Sequence, residues 1–169
     1  SNNRVKKNGT NEYITTAEEF QEQLQEEFDA MINSVKKYKG FFIGRYETTL
    51  TNGWPGSKQG DYVINASISN WYGLYNDQKT TYKDSNIVGS GMIWGCQWDQ
   101  VVFYLRDRGI DVIRGNTWGN YTDSTGDAAT GAGTIERTAG TNGAWQACNI
   151  YDLAGNYYEY TLEGVAVWG

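Results

Sequence analysis

No histidine occurs in the 169 residues, and that absence excludes more chemistry than any other feature of the composition. It removes Ser-His-Asp and Cys-His nucleophile pairs from this chain, together with histidine-ligated zinc, iron or copper. Cysteine is nearly as scarce. Cys96 and Cys148 are the only 2, so they form one disulfide in an oxidising compartment or serve as small buried hydrophobes. Basic charge is also short, with 14 Lys and Arg against 20 Asp and Glu and a net charge of −6. No basic cluster is long enough to track a phosphate backbone, because Arg4, Lys6 and Lys7 sit in a polar lead-in; nucleic acid is excluded as a partner. No apolar run approaches the roughly 18 residues of a membrane span. Proline occurs once, at Pro55.

What the chain has in abundance is aromatic surface with a polar edge. Trp and Tyr number 7 and 13 against 5 Phe, a balance suited to half-buried sites and ligand faces, where one side is dry and the other wet. A chain of this length matches one domain, or one domain with a tail, and buries roughly 70% of its unfolded surface without a metal or a disulfide.

Residues 1–11 are polar and include Asn8-Gly9, which predicts a flexible lead-in. Thr16-Ala17-Glu18-Glu19 is a capping box, after which Phe20, Leu24, Phe28, Met31, Ile32 and Val35 recur at helical spacing. Lys36, Lys37, Lys39 and then Gly40 predict the end of this core-facing helix. Phe41 to Leu50 reads as a β run, closed by a loop over Asn52 to Gly56, with a short strand within Asp61 to Ser69. Asn70 is placed to cap a helix from Trp71 towards Tyr82, and residues 83–93 read as a loop. Trp98 to Gly109 predicts a third helix, its C-terminal dipole met by Arg106 and Arg108. Past Ile113 the chain is rich in Gly, Thr, Asn and Ser for about thirty residues, and a loop of that length is functional or held by something. Trp118 and Tyr121 lie in it. Ile150 to Glu163 returns to strand and turn, and Val165 to Trp168 begins a further strand.

The stretch NIYDLAGNYYEY, Asn149 to Tyr160, sets two carboxylates, Asp152 and Glu159, on either side of an Ala-Gly-Asn turn. On spacing alone two readings stand: Asp152 caps the turn while Glu159 faces solvent, or both are ends of an oxygen cradle. With no histidine and no activated nucleophile nearby, general acid-base work is the poorer use of the pair.

Three stretches in order carry a resemblance: GFFIGRYETT (Gly40 to Thr49), GCQWDQVVFYL (Gly95 to Leu105) and NIYDLAGNYYEY. Together they resemble the formylglycine-generating-enzyme type of C-type lectin fold, also called the sulfatase-modifying-factor domain. That family typically shows an aromatic strand ending in a Glu, a helix opening with a Trp and an acid, and a (L/I)YD(M/L)xGNVWEW segment. Here Tyr157, Tyr158 and Tyr160 replace the usual Val, Trp and Trp. The resemblance runs from Gly40 to about Glu163. It implies an α+β, C-type-lectin-like domain over residues 12–169, with short twisted strands, two to three helices and long loops. It also implies that the C-terminal part of the family fold is not in this chain.

The resemblance further implies a structural calcium ion held by the Asp152 and Glu159 carboxylates and the Gly155 and Tyr157 carbonyls. Calcium is a hard cation that takes six to eight oxygens, so the donor types are suitable. The enzymes of the family work through a copper-binding cysteine pair near the C-terminus, and related sulfoxide synthases through histidine-ligated iron. Cys96 and Cys148 match neither catalytic cysteine by motif, so the expectation is a chain without catalysis. The family also includes binding proteins of bacterial surfaces and phage particles, some diversified by retroelements. The leading expectation is therefore an extracellular, cell-surface or virion domain that binds a protein or carbohydrate ligand through Trp118, Tyr121 and Trp145. A fragment of a formylglycine-generating-type oxidase is one alternative. A structural fibre or decoration component, homo-oligomeric and without an external ligand, is the other.

Overall fold

The computed structural model describes residues 4–64, 69–80, 89–112, 118–120, 139–156 and 159–162. The chain is a mixed α and β protein that divides into two units, Ser1–Ile43 and Gly44–Gly169.

The first unit is built on helix α1, Ala17–Tyr38. The Thr16 hydroxyl accepts the Glu19 N–H at 3.1 Å, as the capping box predicts. The returning Glu19 carboxylate reaches one residue further back than expected, to the Thr15 N–H at 3.0 Å and the Thr15 hydroxyl at 3.1 Å. Those bonds, the Thr15 N–H first and Lys7 next, pull the Glu19 carboxyl down to about 2. At the other end Lys39, not Gly40, takes the left-handed conformation (φ 64°), and its N–H reaches the Val35 carbonyl at 2.8 Å.

The lead-in is organised, which its composition does not foretell. Lys6 bridges Tyr13 in antiparallel fashion, and the Ile14 N–H reaches the Val5 carbonyl at 2.8 Å. This hairpin is tied to α1 through one buried amide. Gln23 Oε1 accepts the Asn8 N–H at 2.8 Å, and Gln23 Nε2 donates to the Lys6 carbonyl at 3.0 Å. Asn8 Nδ2 bonds Glu27, and Lys7 Nζ meets Glu19 at 3.1 Å. Gln23 is the one buried residue of α1; the apolar stripe from Phe20 to Val35 is half-buried. The expectation of a helix facing a core is thus met only in part, because the stripe stays half-buried while the turn around Gln23 is closed by the hairpin.

In the second unit, β1 (Thr49–Thr51) and β2 (Trp54–Gly56) pair antiparallel, with Thr49 opposite Gly56 and Thr51 opposite Trp54. Asn52 and Gly53 make the turn with φ of 53° and 84°, the left-handed pair that a two-residue hairpin requires. A third segment joins: Val63 bridges Thr49, and the Leu50 N–H reaches the Tyr62 carbonyl at 2.9 Å. The expected β run from Phe41 shrinks to its last residues, since Phe41 to Ile43 are exposed and find no strand partner among the described residues. β-propensity describes fit to a packed surface, and those aromatics have none to fit here.

Helix α2 is Trp71–Gln78, with the Asn70 side chain accepting the Gly73 N–H at 3.0 Å. It stops short of Tyr82. Trp71 stacks on the fully buried Tyr75 at 5.1 Å between centroids. Helix α3, Gly95–Arg106, starts three residues earlier than its pattern implies, because Gln97 Oε1 accepts the Trp94 N–H at 3.1 Å and closes the first turn. It also ends three residues earlier, at Arg106, and the left-handed Gly109 (φ 75°) closes the turn that follows. A 3-10 turn over Gly143–Trp145 leads into a second hairpin, β3 (Gln146–Ala147) with β4 (Ile150–Tyr151). Val101 and Leu105 of α3 pack on Ala147 and Leu153, so α3 and this hairpin share one core. No helix among the described residues is long and apolar enough to cross a membrane. The strand expected over Val165 to Trp168 lies outside the described residues.

Candidate functional site

Immediately after β4 the backbone makes a tight, polar loop. Asp152, Gly155 and Asn156 all take positive φ, at 59°, 95° and 62°. A non-glycine residue in that region costs energy unless its surroundings hold it there. The surroundings do. The Asp152 N–H reaches the Trp145 carbonyl at 2.9 Å, and Asp152 Oδ2 accepts the Gly140 N–H at 2.7 Å. The Asp152 side chain is 0% exposed. Gly140 is itself left-handed (φ 63°), and a Cβ there would collide with the Tyr46 ring, so only glycine brings this N–H to the carboxylate.

The far side of the loop is clasped by a buried asparagine. The Asn120 N–H donates to the Ala154 carbonyl and the Asn156 N–H to the Asn120 carbonyl, each at 2.7 Å. Asn156 Nδ2 donates to Glu47, which is 109 residues away in sequence. Asn156 Oδ1 is buried without a hydrogen-bond partner among the described residues. A buried amide oxygen left in that state is costly, and an ion or a water is the usual explanation.

Glu159 feels Asp152. Its carboxyl is pushed up to about 8, chiefly by burial and then by the Asp152 charge, with an opposing contribution from its own backbone N–H. By surface area residue 159 is exposed. The carboxyl's surroundings govern its titration.

The two carboxylates singled out in the sequence are therefore electrostatic neighbours, and Gly155 lies in the loop between them. Tyr157 lies outside the described residues, as does Tyr121. Among the described residues no three His, Cys, Asp or Glu side chains come close enough to hold a metal. A cation here would rely on two carboxylates and on amide and carbonyl oxygens. Asn156, Asn120, Gly140 and Glu47 are the site residues that the sequence reading missed. Only Glu47 and Asn156 lie within the stretches that carried the resemblance; Asn120 and Gly140 come from loop sequence without a pattern.

The expected ligand contacts fare differently. Trp145 is 4% exposed and belongs to the core. Trp118 is half-buried against the α3 cluster, with its indole N–H on the Asp111 carbonyl at 2.9 Å. Trp145 thus presents little surface to a ligand, whereas Trp118 keeps part of its ring open. Cys96 is exposed, Cys148 is half-buried, and both are free thiols. A scan against family models, a search of characterised proteins and a search of solved structures each found no match to this chain.

Proposed function

We propose that the chain is a non-catalytic ligand-binding domain of C-type-lectin-like architecture, working outside the cell on a bacterial surface or a phage particle. The observation that carries this reading is two exposed aromatics on a paired segment, Trp54 at the β1–β2 turn and Tyr62 beside β1, which the strand register places on opposite faces. Trp54 is 59% and Tyr62 64% exposed, and Leu50 between their segments is exposed as well. The same segments are pinned in place, since Thr49 is fully buried and the Thr51 hydroxyl donates to Asp61 at 2.9 Å. Rigid aromatics on a fixed hairpin give large contact area at low entropic cost, which suits recognition of a protein or carbohydrate.

In this reading the loop from Asp152 to Glu159 is scaffold. The Asp152 and Glu159 carboxylates, the Asn156 amide oxygen and the Gly155 carbonyl are the groups that would hold a calcium ion. Such an ion would neutralise the repulsion between the two acids and satisfy the partnerless amide oxygen. Binding is tested with the labelled full chain on arrays of bacterial surface polysaccharides and surface proteins. Trp54→Ala and Tyr62→Ala should each cut capture by about tenfold or more at an unchanged melting temperature. Capture that ignores both substitutions, or no capture on any array, would remove the reading.

A further inference from the structure

The end of the first unit carries a basic and apolar surface. Lys36 to Ile43 are all exposed, and apart from Gly40 they consist of three lysines and four large apolar residues. Tyr38 is 67% exposed and Phe42 105%, the latter as open to water as an isolated side chain. No Asp or Glu occurs from Ala30 to Tyr46, in a protein whose net charge is −6. The left-handed Lys39 ends α1, so that Gly40 to Ile43 leave the helix without entering a strand.

Helix-end electrostatics explains Lys36 and Lys37, but not the rings beyond them. Contiguous exposed apolar surface rimmed by charge of one sign marks an interaction site. Here the apolar residues share no groove and no regular element. A protein pocket demands fixed geometry from its ligand, whereas a fluid bilayer does not. We propose that Lys36–Ile43 docks the protein on an anionic lipid surface, with the Phe41 and Phe42 rings entering the headgroup region. Lys36, Lys37 and Lys39 face the lipid phosphates, their alkyl stems lying along the apolar boundary. Nothing in this surface depends on the ligand-binding reading of the hairpin.

Each lysine near an anionic leaflet strengthens binding about fivefold, so the three together account for on the order of a hundredfold. The test is cosedimentation of the full chain with vesicles of phosphatidylcholine, alone and mixed with phosphatidylglycerol. Binding is expected on the mixed vesicles only, and raised salt should weaken it. Replacing the three lysines with Gln should reduce binding by about a hundredfold, and Phe42→Ser by about tenfold or more. Phe42→Trp should bind like the original chain, which separates loss of the apolar group from damage to the fold. No binding to mixed vesicles, equal binding to neutral ones, or variants that bind unchanged would each overturn the proposal. Capture of soluble polyglutamate as tight as that of mixed vesicles would likewise overturn it, in favour of an acidic polypeptide.

Discussion

The Asp152 carboxylate accepts the Gly140 N–H at 2.7 Å across 12 residues of chain, with the Asp152 side chain wholly buried. This bond joins the end of the glycine-rich loop to the turn after β4. Asp152→Ala leaves a buried N–H without its acceptor, so a loss of about 1–3 kcal/mol is expected. A urea titration checks it. Gly140→Ala should destabilise too, because its Cβ meets the Tyr46 ring and the residue sits at φ 63°.

The Glu159 carboxyl is raised from 4.5 to about 8. A folded-state value above the unfolded one means that the folded chain holds the proton more tightly. The resulting stabilisation is full below about 4.5 and is lost as pH rises towards 8. In metal-free buffer the melting temperature should fall across that window, and Glu159→Gln should flatten the fall. A Glu159→Gln chain with the original slope would show that another group is responsible.

Glu19 behaves oppositely. Its carboxyl is lowered to about 2, so its contribution is present above about 4.5 and disappears as pH falls towards 2. Acid titration followed by far-ultraviolet circular dichroism should show helix loss in that range, shallower in Glu19→Gln.

If calcium sits between Asp152 and Glu159, adding it should raise the melting temperature at neutral pH, and a chelator should reverse the gain. Asp152→Asn should remove most of the response while keeping an acceptor for Gly140. Superimposable melting curves with calcium and with chelator would remove the ion from the account.

Trp145→Ala should cost about 3–5 kcal/mol, as for other buried tryptophans. Trp118, half-buried, should cost less. A Trp145→Ala chain of unchanged stability would return this residue to the list of ligand contacts.

Local chemistry was legible where one residue's neighbours in sequence settle its geometry. Thr16 and Glu19 mark the start of α1, Asn70 the start of α2, and Gly109 the turn after α3, because caps act within a single turn. The β run from Phe41 was not, since strand formation waits on a partner that the local sequence does not specify. Nor could pattern tell an anchoring tryptophan from a presenting one: Trp54 and Trp145 both lie within two residues of a glycine, and only one is open to water.

By itself, the sequence determined the chemical inventory: no histidine, two thiols, an excess of acids, many aromatics and helices with readable ends. Tertiary structure alone decided which of those groups meet. Asn120 reaches Ala154 and Asn156, Glu47 reaches Asn156, and Gly140 reaches Asp152, because backbone hydrogen bonds and buried volume bring together loops far apart in the chain. The surroundings of Glu159 push its carboxyl up, chiefly through a desolvation that no spacing of residues encodes.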